Sequence, residues 1–182
     1  MSAQDPVTGV VPAPVTAPAP VTLRRMRWWD IAGVAELDAR IFGPDAWSTA
    51  YFWAETAAPG RTFLVAEAPA ADGAPGEDGT AGRLVGFAGL SVSGPQSDVL
   101  TIASAPEARG RGVGRLLLDA LMDRAREAGC EVVHLDVRDD NAPALGLYAS
   151  RGFEELQRRP GYYAPDPSTG RAPDAVLMRA FL

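Results

Sequence analysis

Arg109-Gly110-Arg111-Gly112-Val113-Gly114-Arg115 stands between an apolar run at 99–103 and a stretch, about 112–128, in which Leu117, Leu118, Leu121, Met122 and Ala125 recur at helical spacing. A glycine-rich turn that opens a helix presents unpaired N–H groups and the positive end of the helix dipole, a ready seat for phosphate oxygens. Glycine matters there because a side chain would hold the phosphate away from the backbone. Arg109, Arg111 and Arg115 favour a bound polyanion. Taken alone, the seven residues also read as a mobile turn ahead of a helix.

Downstream, Gly129 ends the helix in the usual C-terminal glycine position and a strand is expected over 131–137. Two strands joined by a helical crossover lie parallel and adjacent, which puts the glycine turn at the carboxyl end of the first. Asn141 is placed to cap another helix running through Ala144, Leu147 and Tyr148 to Arg151, and strands follow at about 153–156 and 175–179. Upstream, a strand at 21–26 leads to a helix capped at Asp30 that carries Ile31, Val34, Leu37 and Ile41 and stops at Gly43-Pro44. A second helix starts near Ser48, carries Tyr51, Phe52 and Trp53 and ends at Pro59-Gly60; strands at 62–66 and 84–92 flank an acidic Pro/Gly/Ala-rich surface loop. The order is strand, two helices, three strands, helix, strand, helix, two strands: an α/β chain with a mixed, α+β type of sheet. Residues 1–20, built of Pro-Val-Thr and Pro-Ala-Pro units, read as a disordered tail ahead of one domain at 21–182.

With 182 residues, 47% of them hydrophobic, the chain can bury a core without disulfide or metal support. The single cysteine, Cys130, has no internal partner and falls in a turn, where it reads as a small packing residue in a reducing cytoplasm. No apolar run approaches the roughly 18 residues of a membrane span, so no membrane partner is expected. Net charge is −6, with 11 acids against 6 bases in 1–104 and 12 against 11 in 105–182. That distribution argues against general nucleic-acid binding and fits a cationic partner or substrate near the front half, although ordinary solubilising charge is the plainer account of it. All 17 basic residues are arginine, so no internal side chain offers a primary amine.

The order of elements resembles the GNAT superfamily of N-acetyltransferases, whose acetyl-coenzyme A motif Arg/Gln-x-x-Gly-x-Gly/Ala is met by Arg109, Gly112 and Gly114. Leu135-Asp136-Val137-Arg138, Asn141-x-x-Ala144-x-x-Leu147-Tyr148, Gly152-Phe153, Arg158-Arg159, Gly161-Tyr162-Tyr163 and Ala175-Val176-Leu177-Met178 resemble its RimI branch, the ribosomal-protein N-terminal acetyltransferases. Ala46-Trp47-Ser48, after Phe42-Gly43, is similar to that branch's Pro-Trp-Ser turn. The resemblance implies a single-domain fold with a splayed central parallel strand pair and flanking helices. It implies acetyl-CoA as co-substrate and no metal. The pantetheine arm would pair with the backbone of Ile102, Ala103 and Ser104, the pyrophosphate would rest on Arg109, Gly110, Arg111, Gly112, Val113, Gly114 and Arg115, and Asn141 would hold the arm through its amide. Asn141 can serve as a helix cap as well.

Acetyl transfer needs an amine freed of its proton and an acid for the departing thiolate. A terminal amine ionises at about 7.7–8.0 and a lysine at about 10.4, so near neutral pH the terminal amine is ahead by roughly 3.5 kcal/mol in deprotonation. In the resembled branch a glutamate at the place of Asp136 takes the proton and a tyrosine at the place of Tyr148 protonates the sulfur. Aspartate is one methylene shorter, which favours a bridging water; pairing with Arg138 is its plain structural alternative. His134, two residues earlier on the same strand face, is a proton relay or a packing residue. Trp47, Tyr162 and Tyr163 are expected to line the acceptor peptide, or to pack in the core and beneath the last hairpin.

The expected function is acetyl transfer to the N-terminal amine of a protein, first of all a basic small-subunit ribosomal protein, by a monomer or weak homodimer. Lysine side chains or small amines as acceptors, and a non-catalytic acetyl-CoA-binding module, are the alternatives. A dinucleotide fold fits less well, because its glycines follow the strand at once and here Ser104 to Arg109 intervene.

Overall fold

The computed structural model describes residues 21–69 and 82–182. The expected tail, 1–20, and most of the expected surface loop, 70–81, lie outside the described residues. The elements are β1 (Thr22–Arg25), α1 (Ile31–Phe42), α2 (Thr49–Ala57), β2 (Arg61–Pro69), β3 (Gly82–Ser93), β4 (Gln96–Ser104), α3 (Val113–Glu127), β5 (Val132–Arg138), α4 (Ala142–Ala149), β6 (Glu154–Arg159) and β7 (Ala175–Phe181). They form one sheet in the order β1-β2-β3-β4-β5-β7-β6, antiparallel throughout except for β4 and β5. The expected order of elements and the parallel crossover are both present.

Local chemistry sets most boundaries. Ser48 Oγ accepts from Tyr51 N at 3.2 Å and opens α2, and Asn141 Oδ1 accepts from Ala144 N at 3.2 Å and opens α4. Asp30 differs from expectation: one turn of 3-10 helix, Trp28–Asp30, precedes α1, and Asp30 makes no cap to α1. Its carboxylate accepts instead from Arg27 N at 2.6 Å and from both terminal nitrogens of Arg24 at 2.6 and 2.7 Å. β2, β3, β4 and β6 outrun their apolar cores because antiparallel partners continue the ladders.

Phe52, Phe87, Ile31, Leu90, Leu117, Leu118 and Leu121 are fully buried, where α1, α2 and α3 cover β2, β3 and β4. At Gly86 a Cβ would stand 2.8 Å from the Ala103 carbonyl oxygen and 2.9 Å from Val113 Cγ1. The first turn of α3 therefore seats on β3 only because that position lacks a side chain.

One irregularity positions everything that follows. β4 pairs with β5 from Gln96↔Val132 to Val99↔Leu135 and no further. Against β3, Val99 faces Leu90 and Thr101 faces Gly89, leaving Leu100 as an unpaired bulge residue. A bulge bends its strand and increases its twist. β5 stays paired with β7 over its whole length, so β4 bends away from it and the parallel pair opens at Leu100.

Candidate active site

The opening between β4 and β5 is a cavity of about 160 Å³. Thr101 and Ile102 line it from β4, Asp136 and Arg138 from β5, Tyr148 from α4, Trp47 from the turn before α2, and Tyr163 from the loop joining β6 to β7. Of the residues singled out from the sequence, Asp136, Tyr148, Asn141, Ile102, Trp47 and Tyr163 meet in this one space. Ala103 is buried beside it on β4 and pairs with Phe87. Tyr162 is not in the wall: it is 58% exposed, edge-on to Tyr163 at 5.2 Å, with the Arg159 guanidinium 5.7 Å from its ring centroid. His134 is also outside the cavity lining, at a ladder position facing Arg179.

The two reactive candidates have contrasting surroundings. Asp136 is exposed at the sheet surface, and its nearest charge partner is Arg159 at 3.7 Å, beyond hydrogen-bond reach. The expected alternative pairing with Arg138 is absent, because Arg138 binds Asp140 through Nε and Nη2 at 3.0 Å each and Asp45 through Nη1 at 3.1 Å. Among the described residues Asp136 therefore has one ion pair, the long one to Arg159, and no side-chain hydrogen bond. Tyr148 is 5% exposed with its ring 5.9 Å from that of Phe153, and its hydroxyl has no hydrogen-bond partner among the described residues. Burial pushes the phenol above its ordinary value of 10, which keeps it protonated. Tyr163 is pushed up to about 12, by burial first and then by the negative charge of Asp136.

Two features suit a phosphate-bearing thioester with an amide-containing arm. From Leu100 to Ser104 the β5-facing edge of β4 has no strand partner, so its backbone groups are available to an extended ligand. Beyond β4 and the one-turn 3-10 segment Pro106–Ala108 that follows it, Gly110 and Gly112 have φ of +72° and +79°, and a Cβ at either would meet nothing within 4 Å. Gly112 is the N-terminal cap residue of α3 and offers its first turn no side chain, leaving amides for an anion. Arg109, Arg111 and Arg115 are free of ion pairs among the described residues, and all three are exposed. Asn141 spends only its Oδ1 on the cap of α4, so the amide N–H₂ remains for the cavity. Among the described residues no group of His, Cys, Asp and Glu is placed to hold a metal ion.

Sequence reading missed two carboxylates in the wall, Asp38 and Asp45. Asp38 is 1% exposed and accepts from Trp47 N at 2.6 Å; burial raises it to about 6 against the lowering effect of that amide. A signal existed, since Asp38 lies four residues after Val34 on the apolar stripe of α1, where a charge is costly. Asp45 gave none, because its partners are 93 and 119 residues away in sequence.

Residues 28–153 match the family model described as "Acetyltransferase (GNAT) family". The N-alpha-acetyltransferase RimI of Mycobacterium tuberculosis is 39% identical over 165 residues, 88% of this chain and 92% of that protein. An uncharacterized protein of Mycobacterium leprae is 37% identical over 172 residues, 91% of this chain but only 42% of its own length, so the chain spans less than half of that relative. Among solved structures, the ribosomal-protein-S18-alanine N-acetyltransferase of Escherichia coli superposes with a TM-score of 0.72 at 26% identity, covering 89% of this chain and 94% of that one.

Proposed function

The chain belongs to the acetyltransferase (GNAT) family, and from that premise we propose that it moves an acetyl group from acetyl-CoA to the α-amine of a protein N-terminus. The first candidate is a small-subunit ribosomal protein beginning with alanine, in line with the names of the Mycobacterium tuberculosis and Escherichia coli relatives. The observation that carries the reading is the meeting of an exposed carboxylate, Asp136, held only by a long ion pair to Arg159, and a buried protonated phenol, Tyr148, in one cavity where β4 parts from β5.

Acetyl-CoA supplies the thioester acetyl group and leaves as the thiol. Asp136 accepts one proton of the incoming ammonium, directly or through one water; as the C–N bond forms and the C–S bond breaks, the Tyr148 hydroxyl delivers a proton to the departing sulfur, and the second proton lost by the nitrogen returns to the Tyr148 oxygen. The unpaired edge of β4 and the amides at Gly110 to Arg115 hold the donor, while Trp47 and Tyr163 face the acceptor. Tyr162, outside the cavity, would meet an acceptor residue beyond the first. The acidic balance of 1–104, 11 acids to 6 bases, suits a basic acceptor protein. No helix among the described residues is long and apolar enough to cross a membrane, and a cytoplasmic site of action with the chain as monomer or weak homodimer completes the reading.

The test is thiol release from acetyl-CoA with peptides beginning Ala, confirmed by mass spectrometry of the N-terminus. Turnover dependent on a free α-amine supports the reading. Saturable acetyl-CoA binding with no turnover on any amine replaces it by a binding module, and preference for an N-terminally blocked lysine peptide replaces the acceptor.

A further inference from the structure

Three segments face the acceptor side of the cavity: the turn between α1 and α2 bearing Trp47, the end of β5 bearing Asp136 and Arg138, and the β6–β7 loop bearing Tyr163, the last two already tied to each other by Asp139 N to the Asp174 carbonyl at 3.0 Å and by Asp174 N to Asp139 Oδ1 at 3.1 Å. Asp45 touches all three. It lies in the one-turn 3-10 segment Gly43–Asp45, two residues before Trp47. Its Oδ2 accepts from Arg138 Nη1 at 3.1 Å, and its Oδ1 accepts from the backbone N–H of Ala164 at 3.0 Å, next to Tyr163. Arg138 is held in place by Asp140 and lies with its Cζ 5.4 Å from the Tyr163 ring centroid. The Asp45 side chain is 24% exposed, and it lines the cavity.

We infer that Asp45 is a positioning residue for the acceptor: its carboxylate fastens the α1–α2 turn to β5 and to the β6–β7 loop, and so fixes Trp47 and Tyr163 in the wall of the cavity that Asp136 also lines. This rests on the reading of the cavity as a protein N-terminal acetylation site. A neutral side chain cannot do the same work. The carboxylate accepts two bonds on separate oxygens, one from a cation and one from an amide, so a single group sets two spacings at once. On the donor side, among the described residues, Asp45 makes no hydrogen bond or ion pair to β4 or to the glycine turn before α3, its bonds going to Arg138 and Ala164. The acceptor is therefore the ligand that notices its loss.

Steady-state kinetics on an alanine-initial peptide with purified full-length Asp45→Ala and Asp45→Asn tests the proposal. With the acceptor walls unfastened, the peptide KM rises about tenfold or more in Asp45→Ala, kcat falls less than about threefold, and the KM for acetyl-CoA stays within about twofold. Asp45→Asn keeps an oxygen for Ala164 N but cannot accept from Arg138, so its peptide KM lies between; it carries the test if Asp45→Ala does not fold. An unchanged peptide KM, or an equal rise for donor and peptide, overturns the role. Hydrogen exchange separates this proposal from the one beneath it. Faster exchange at the Ala164 amide in Asp45→Ala supports the fastening whatever the substrate, and unchanged exchange there overturns it. Failure of the wild-type protein to acetylate any peptide N-terminus overturns the acceptor reading.

Discussion

Replacing Asp38 by asparagine changes how stability depends on pH, in a direction fixed by the geometry. Asp38 is buried on α1, has no cationic partner among the groups that shift it, and keeps only the amide of Trp47, so burial raises it from 3.8 to about 6. A carboxyl whose folded pKa lies above its unfolded one holds its proton more tightly in the folded state. Its contribution to stability is complete below about pH 3.8 and is withdrawn as pH rises through about 6. At about 1.4 kcal/mol per pH unit, the interval amounts to about 3 kcal/mol at most. Asparagine is nearly isosteric, offers an oxygen to Trp47 N and carries no charge. Urea unfolding of wild-type and Asp38→Asn proteins from pH 4 to 8 should show the wild type losing up to about 3 kcal/mol relative to the variant across pH 4 to 6, then a plateau. Carboxylates held low by partners, such as Asp140 beside Arg138 and Asp166 beside Ser168, lose their contributions at lower pH and cancel in the difference. A difference that is flat over the whole range, or that grows in favour of the wild type with rising pH, would refute the reasoning.

Tyr148→Phe removes the proton donor without touching the Phe153 packing and should lower kcat by about 10²-fold with acetyl-CoA affinity by calorimetry nearly unchanged; an unaltered rate removes Tyr148 from the mechanism. Asp136→Asn should give a loss of similar size near pH 7 that is partly recovered as pH is raised to 9, since a terminal amine ionising at about 7.7–8.0 then loses its proton to solvent without the carboxylate. Gly112→Ala strains the +79° backbone that opens α3, and a weaker apparent affinity for acetyl-CoA is expected, by about tenfold, with the acceptor KM little changed. Gly86→Ala forces a methyl against the Ala103 carbonyl and Val113 and should cost about 1–3 kcal/mol in thermal or chemical unfolding. Raising salt from 50 to 500 mM should lower kcat/KM for a basic peptide more than for a neutral one, and equal effects would separate the acidic front half from recognition.

Much of the molecule is local and was legible in the chain. The caps Ser48 and Asn141, the C-terminal Gly129 and the apolar face of α3 are each set by backbone chemistry or periodicity within a few residues, and the structure has them where the sequence put them. The glycine turn is legible for the same reason, because a positive φ at Gly110 and Gly112 is a property of one residue. Asp30 shows the limit of local reading: it has the right residue type at the right place for a cap, yet the Arg24 guanidinium of β1 and the preceding 3-10 turn take its carboxylate.

The list of elements, their order, the parallel crossover and the glycine-rich turn before α3 follow from dihedral preference and hydrophobic period along the chain. Only the tertiary structure decided where β4 leaves β5, since the Leu100 bulge is defined by the count of residues on the facing strand β3. It also decided which carboxylates Arg138 takes. Asp136, two residues from Arg138, is the partner that the chain itself offers, and the strand ends and loops that meet at the cavity give Arg138 to Asp45 and Asp140 and leave Asp136 with the long ion pair to Arg159 alone. Such choices turn on distances of a few ångströms between residues about a hundred positions apart, and only the closed sheet sets those distances.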